Sequence, residues 1–253
     1  MSKKLQNLLE EWPQGTVAIN SWFQSMGISN QLKQKYIKSG WIRSLGHGAS
    51  KRNNDKVGWE GALYALQSQN GLPIHLGSKS ALEMHGSGHF IKIRQNRIDL
   101  FGPVGIRLPR WFTYNDWGVN AKYSTTNFLP NIGIGELYFG NFSIRASEME
   151  RAILEMIYLI NRDHTLEEVM YIFENLAFLR PNILQELLEK CSSMRVKNIF
   201  RALALHFEHK WLNSLDLSKI SFGSYSPSFS KRGSMAKYKI KLPEEFNNET
   251  IFS

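Results

Sequence analysis

The sequence predicts an α+β protein with two domains, and two changes of pattern along the chain support this. Residues 1–85 contain short segments with apolar side chains at three- and four-residue spacing, which is typical of helices. From about residue 88 the segments are aromatic and β-branched and are interrupted by glycine, proline and asparagine, as in strands, and helical patterns return at residue 147. We therefore predict one domain over residues 1–95 and a mixed α/β domain over residues 96–253.

Composition limits the class of protein to which the chain can belong. With 42% hydrophobic and 21% charged residues among 253, the chain can form an ordinary globular core. It has no apolar run of about 18 residues to cross a bilayer, and charged residues stand at its start, where an export signal needs an apolar stretch. Cys191 is the only cysteine, which excludes an internal disulfide and a cysteine zinc cluster. We therefore expect a cytoplasmic protein.

The first predicted elements are three helices and a hairpin. "KKLQNLLEEW" (3–12) and "TVAINSWFQSMG" (16–27) are predicted helices, and a glycine ends the second. Ser29 is a suitable N-cap for a third helix, "NQLKQKYIKSG" (30–40). The turn "GHG" (46–48) then joins two short strands, "WIRSL" and "ASKRN". This order predicts a winged helix-turn-helix, in which the helix after the turn lies in the DNA major groove.

The distribution of charge supports binding to a polyanion. The net charge of the whole chain is +9 and its pI is about 9.6. Residues 1–95 contain twelve lysines or arginines and five aspartates or glutamates, a net charge of +7 that leaves +2 for the remaining residues. A basic balance confined to one end indicates a module that binds a polyanion, joined to a nearly neutral one. The alternative is that the lysines are simply solvated.

The third predicted helix would bind DNA through its outer face. Leu32 and Tyr36 fall on one side of it and can pack against the preceding helix, whereas amide side chains fall on the other side. Asn and Gln amides can pair with adenine and lysine can reach guanine or phosphate, while cations of the hairpin would bind phosphates and set the register. The predicted DNA-binding residues are Ser29, Asn30, Gln31, Lys33, Gln34, Lys35 and Lys38 of the helix, and Arg43, Lys51 and Arg52 of the hairpin.

The later elements are predicted from the same kinds of signal. Helices are predicted in "GWEGALYALQSQNG" and "SKSALEMHG", with the strand "LPIHL" between them, and four strand segments follow in "HFIKI", "RIDLF", "AKYSTTNFL" and "ELYFGNFSI". "SEME" (147–150) and "TLEE" (165–168) fit the capping box at a helix start. Pro181 suits the first position of another helix, "RVKNIFRALALHF" predicts one more, and "KYKIKL" predicts a final strand.

The remaining groups of polar residues do not indicate catalysis or metal binding. His206 and His209 share a predicted helix face without an evident third ligand, so we expect no metal and no cofactor. The predicted pair of Arg151 with Glu155 favours a structural role, although Arg151 is the first residue to consider if the second domain has a functional surface. No nucleophile and base are recognisable, so an enzyme is not predicted. A group of aromatic residues is more typical of a core than of a base-stacking platform: Trp111, Phe112, Tyr114, Trp117, Tyr138 and Phe139.

Several separated segments resemble the AbiEi-type antitoxins of bacterial abortive-infection (type IV toxin–antitoxin) systems. The first is "GWIRSLGHGASKRNNDKVGWEGALYALQSQNGLPIHLGSKSALEMHG", which is similar to the family's hairpin, "W-E-G-A-L-x-x-L-Q" helix and "H-x-G-x-x-x-A-L" passage. "YFGNFSIRASEMERAILEMI" resembles the family's second half, and "KYKIKLP" resembles its end. The chain departs from the family in "SYSPSFSKRGSM", which has only two cations where relatives have a more basic stretch.

The resemblance implies more than the composition does. It implies a winged helix that represses the protein's own operon by binding promoter DNA with inverted repeats. It also implies a second domain that counters a nucleotidyltransferase-like toxin without forming a stable complex, in defence against phage. Arg151 is then the candidate residue of an antitoxin surface. Two alternatives remain: a plain winged-helix regulator whose second domain senses a ligand or dimerises, and an enzyme whose second domain reverses the toxin's work.

Overall fold

The computed structural model describes residues 2–86, 97–223, 234–235 and 240–241. The chain packs into two units that do not follow sequence order. The first unit comprises Met1–Leu76, Arg94–Thr125 and Glu136–Ala146, and the second unit comprises Gly77–Ile93, Thr126–Gly135 and Ser147–Ser253. Helices and sheets are both present, which confirms the α+β class, whereas the division of the sequence at residue 95 stays a prediction.

The elements are numbered in chain order. The helices are α1 (Lys3–Glu11), α2 (Asn20–Ser25), α3 (Asn30–Lys38), α4 (Trp59–Tyr64, continued by a π-helical turn, Ala65–Gln69), α5 (Ser78–Met84), α6 (Arg110–Thr113), α7 (Met149–Tyr158), α8 (Leu166–Glu174), α9 (Pro181–Lys190) and α10 (Met194–His206). The strands are β1 (Ala18–Ile19), β2 (Ile42–Gly46), β3 (Ala49–Arg52), β4 (His75–Leu76), β5 (Arg97–Gly102), β6 (Asn120–Thr125), β7 (Ile134–Phe139), β8 (Phe142–Ser147), β9 (Ser234–Met235) and β10 (Ile240–Lys241). The short 3-10 helices Lys210–Ser214 and Leu217–Lys219 follow α10.

Helices α1 to α3 and the antiparallel sheet β1-β3-β2 form a winged helix-turn-helix in the first unit. Its core contains the apolar stripe of α1, with Leu5, Leu8 and Trp12 buried against Phe23 of α2. The Ser29 hydroxyl accepts a hydrogen bond from the Leu32 amide at 3.2 Å, so the predicted N-cap of α3 is confirmed. Tyr36 of α3 belongs to the same core and Leu32 packs against it, so α3 is held by the residues that gave its helical periodicity.

The prediction of a second helix over residues 16–27 is wrong for the first residues of that segment. Ala18 and Ile19 form strand β1, and α2 begins only at Asn20. Ala18 pairs with Ser50 and Ile19 with Ala49, so β1 completes the sheet of the wing. The short segment gave too little periodicity to reveal this, because pairing with a strand some 30 residues later decides its conformation.

A second sheet of the first unit has the order β6-β5-β4-β8-β7. Strands β4 and β5 are antiparallel, while β4 with β8 and β5 with β6 are parallel. The predicted strands in "RIDLF", "AKYSTTNFL" and "ELYFGNFSI" are confirmed, and "HFIKI" lies outside the described residues. Since β4 stands at the centre of this sheet, residues before position 95 supply the central strand, and the other four strands come after that position.

The second unit is mainly helical, and α5 and α7 to α10 share one apolar core. Pro181 starts α9, and Thr165 with Glu168 forms the predicted capping box of α8, with both hydrogen bonds at 3.1 Å. The predicted capping box of Ser147 and Glu150 is wrong, because Glu148 is the N-cap of α7 and makes no side-chain capping bond. Ser147 ends β8 and donates to Glu155 instead, at 2.7 Å.

Candidate nucleic-acid interface

A groove of about 490 Å³ lies between helix α3 and the β2–β3 hairpin, the wing. Its lining is mostly polar or glycine and consists of Asn20, Asn30, Lys33, Gln34, Ile37, Ser44, Gly46, His47 and Gly48. The walls therefore offer amide, hydroxyl and backbone groups, which are the groups that hydrogen-bond to bases and phosphates.

The outer face of α3 carries most of the predicted contact residues. Ser29, Asn30, Gln31, Gln34, Lys35 and Lys38 are all exposed. Tyr36 is buried and Leu32 is half-buried in the core of the winged helix, so the helix turns its amides and two of its three lysines outward. Ile37, which lies on the same side as the amides, forms part of the groove wall.

Lys33 does not lie on this outer face. Its side chain is buried, its Nζ donates to Oδ1 of Asn20 at 2.6 Å, and it stands 4.8 Å above the ring of Phe23. Burial lowers the pKa of this ammonium. Lys33 therefore ties α3 to α2 at the floor of the groove, and the predicted phosphate contact for it is corrected to this structural role.

The three predicted cations of the wing differ in environment. Arg43 of β2 is exposed, as a phosphate contact requires. The Nζ of Lys51 donates to the carbonyl of Asp55 at 2.6 Å, so this half-buried lysine closes the turn after β3. The sequence could not separate the two, because they are cross-strand partners on one face of the sheet and differ only in the carbonyl of Asp55 that the fold places beside Lys51.

Arg52 is directed into the protein. Its guanidinium donates to the carbonyls of Leu9 and Trp12 at the carboxyl end of α1, and it lies 6.0 Å from the Trp12 ring. A cation at this position satisfies carbonyls that have no partner within the helix and interacts favourably with the helix dipole. The predicted phosphate contact for Arg52 is therefore corrected: the side chain caps α1.

A segment that sequence reasoning placed in the core reaches the wing. Trp111, Phe112 and Trp117 are buried, as predicted for core aromatics, but Tyr114 is 72% exposed. The ring centroids of Tyr114 and His47, at the tip of the wing, are 5.0 Å apart. No periodicity marks Tyr114, since it follows a helix of only four residues, α6.

The proposed antitoxin residue, Arg151, is buried within the second unit. Its Nε donates to Oε1 of Glu155 at 2.8 Å, which confirms the predicted i,i+4 pair, and its Nη1 donates to the carbonyls of Pro130 and Ile132 at 2.5 and 2.9 Å. Only 9% of its side chain is exposed. The surface role predicted for Arg151 is therefore corrected to a structural one, because its guanidinium fixes a loop to α7.

Ser78, His164 and Glu168 form a chain of serine, histidine and carboxylate contacts that the sequence did not reveal. The Ser78 hydroxyl and His164 Nε2 are 3.0 Å apart, and His164 Nδ1 lies 3.6 Å from Glu168. Ser78 has a positive φ of 52° and is fully buried, and its amide donates to Glu155 at 3.1 Å. These contacts stabilise a strained turn at the start of α5, where the hydroxyl is inaccessible to a substrate in this conformation.

The remaining candidates have ordinary environments. Burial raises the pKa of the Cys191 thiol, which makes it a poor nucleophile. His209 contacts the carbonyl of Phe173 at 2.8 Å, at the end of a helix. Over the residues that the structure describes, no three His, Cys, Asp or Glu side chains are placed to hold a metal ion. Within the same ranges, each helix is too short or too polar to span a bilayer.

Comparison with known proteins identifies the family. Among solved structures, the RV2827C protein from Mycobacterium tuberculosis is similar with a TM-score of 0.49 and 13% identity, over 88% of this chain and 85% of that chain. No curated protein matches the chain significantly. The family model described as "Transcriptional regulator, AbiEi antitoxin N-terminal domain" matches residues 1–93, and "Transcriptional regulator, AbiEi antitoxin, Type IV TA system" matches residues 95–243. The chain therefore belongs to the AbiEi antitoxin family of type IV toxin–antitoxin transcriptional regulators.

Proposed function

We propose that this transcriptional regulator binds inverted repeats in its own promoter and represses its operon from the cytoplasm. We also propose that the part of the chain after residue 95 counters a nucleotidyltransferase-like toxin without forming a stable complex with it. Residues 1–95 would form the DNA-binding domain, and residues 96–253 would form the antitoxin domain. Family membership supports both halves of the proposal.

The outer face of α3 is the observation that carries the DNA-binding half. Asn30, Gln31 and Gln34 stand exposed on a helix that follows the turn of a winged helix-turn-helix, and such helices read base edges in the major groove. Lys35 and Lys38 on the same helix, with Arg43 of the wing, place cations where phosphates flank that groove. We assign Lys33, Lys51 and Arg52, which donate to groups within the protein, to the support of this surface in place of DNA contact.

We expect the change Gln34→Ala to relax sequence preference. An amide that pairs bidentately with adenine contributes about 1–3 kcal/mol of discrimination, so the preference for the upstream duplex over a scrambled duplex should fall by about 5-fold to 150-fold. Fluorescence anisotropy with the DNA directly upstream of the gene measures this ratio. Gln14→Ala is the control, since Gln14 is exposed in the turn between α1 and β1. An unchanged ratio for Gln34→Ala would remove this residue from the recognition surface.

The antitoxin half is tested with a variant in which two proposed DNA contacts are replaced. We expect the full chain with Gln34→Ala and Arg43→Gln to rescue cells as wild type does when a nucleotidyltransferase-like gene found beside this one is expressed from an unrelated promoter. The reason is that both substituted side chains are exposed and belong only to the DNA-binding face. Western blotting checks that both proteins accumulate equally.

Two outcomes contradict the proposal. If the double variant accumulates but does not rescue, protection depends on DNA binding. If wild type itself does not rescue, the chain is better described as a plain regulator. Full-length variants are preferable to fragments cut at residue 95, because that cut removes β4 from the centre of a five-stranded sheet.

A further inference from the structure

The wing is joined to a segment that lies outside the winged helix in sequence. The Nδ2 of Asn115 donates to the carbonyl of Leu45 in β2 at 3.0 Å and to the carbonyl of Trp111 in α6 at 2.7 Å. One amide group supplies both hydrogens, so Asn115 holds the wing strand and the end of α6 together. All of these residues belong to the first unit.

Buried rings and hydrogen bonds hold the segment of residues 111–118 where it meets the wing. Trp111 and Phe112 are buried, and the indole nitrogen of Trp117 donates to the carbonyl of Phe112 at 2.7 Å. The Asp116 carboxylate accepts from the amide of Gly118 at 2.8 Å, which closes the turn. Tyr114 is therefore presented from a fixed base, with its ring beside His47 and most of its surface in solvent.

We propose that Tyr114 is a DNA contact that extends the wing, with its hydroxyl donating to a phosphate, and that Asn115 is the positioning residue that holds the wing beside it. This inference rests on the proposed DNA-binding function. The tip of the wing is Gly46, His47 and Gly48, so it offers one side chain, and a tyrosine next to it adds reach and a donor. Tyrosine is among the side chains that bind DNA phosphates.

The proposal is tested by anisotropy on the full chain with the upstream duplex and a scrambled duplex of the same length. We expect Tyr114→Phe and Tyr114→Ala to weaken binding to both duplexes about tenfold, the loss of one hydrogen bond to a charged group. Since no cation is removed, the dependence of affinity on salt keeps its slope, whereas Arg43→Gln lowers that slope by about one. Tyr138→Ala is the control, because Tyr138 is 78% exposed in the same unit. It should bind as wild type.

The variant Asn115→Ala tests the positioning role of Asn115 separately from the DNA contact proposed for Tyr114. It should weaken binding to both duplexes, and its loss should not add to that of Tyr114→Phe, since the two act through one contact. Additive losses would overturn the positioning role. If Tyr114→Phe and Tyr114→Ala both bind DNA as wild type does, the proposed contact is overturned while the DNA-binding function stands. If only Tyr114→Ala loses affinity, donation of a hydrogen bond by the Tyr114 hydroxyl is overturned. If wild type binds neither duplex, the proposed function and this inference fail together.

Discussion

Replacing Glu155 by leucine is expected to lower the free energy of unfolding by about 3–5 kcal/mol, because it leaves a buried arginine without its counter-ion. Glu155 is fully buried and accepts from Arg151 at 2.8 Å, from the Ser147 hydroxyl at 2.7 Å and from the Ser78 amide at 3.1 Å. Leucine has a similar volume but accepts nothing, so three donors lose their partner in a dry environment. Denaturant unfolding monitored by circular dichroism measures the difference.

The exposed pair of Glu186 and Lys190 is the matched control for this change. It is also an i,i+4 pair, with a distance of 2.6 Å, but its side chains are 47% and 55% exposed. Glu186→Leu should therefore change stability by at most about 0.5 kcal/mol. The double variant Arg151→Met with Glu155→Leu should recover part of the loss, since an apolar pair has no unpaired charge. Equal effects of Glu155→Leu and Glu186→Leu would show that the buried network does not stabilise the second unit.

Replacing Gly61 by alanine is expected to destabilise the first unit by about 3 kcal/mol, although alanine normally stabilises a helix relative to glycine by about 1 kcal/mol. A Cβ at position 61 would lie 1.9 Å from the carbonyl oxygen of Gly15 and 3.0 Å from the Cα of Thr16. These are backbone atoms, so they cannot rotate away. The amide of Val17 also donates to the Gly61 carbonyl at 3.3 Å, which holds the two segments together.

The same change should weaken DNA binding, because the displaced segment leads into β1 and β1 pairs with β3 of the wing. Thermal unfolding and anisotropy on the upstream duplex measure the two effects. Gly58→Ala is the control: Gly58 has an ordinary φ of −91°, and the atom nearest to a Cβ there belongs to the flexible carboxylate of Glu60. It should cost at most about 1 kcal/mol. A Gly61→Ala protein as stable as wild type would mean that α4 can move away from the backbone of residues 15 and 16 at little cost in free energy.

The ion pair at the start of α7 shows why the role of a charged residue is hard to predict from sequence. Burial alone would raise the pKa of Glu150, but hydrogen bonds from the side chain and backbone of Arg180 lower it overall. A carboxyl with a lowered pKa in the folded state stabilises the fold above its unfolded pKa, and this contribution is lost as the pH falls. Glu150 therefore has an ionic partner 30 residues away in place of the predicted capping role.

Local signals determined much of this fold. Ser29 and Thr165 cap their helices because each cap needs only amides two or three residues ahead. Pro181 starts α9 because its fixed φ suits a first helical position. The apolar stripe of α1 and the Gly-His-Gly turn likewise depend on residues close in sequence. The winged helix and its outward amides could therefore be predicted.

The contacts of the long cationic side chains depend on the tertiary structure. A helical wheel gives the direction of a Cβ atom, but a lysine or arginine reaches several ångströms farther, toward whichever acceptor the fold places nearby. Lys33 thus turns to Asn20, Arg52 to the end of α1, and Arg151 to Glu155 and a distant loop. The same dependence on distant partners made Ala18 and Ile19 a strand and brought Tyr114 to the wing. Local sequence patterns predicted the family and the helix that we propose binds DNA, whereas long-range packing determined which cations of that helix and of the wing are exposed.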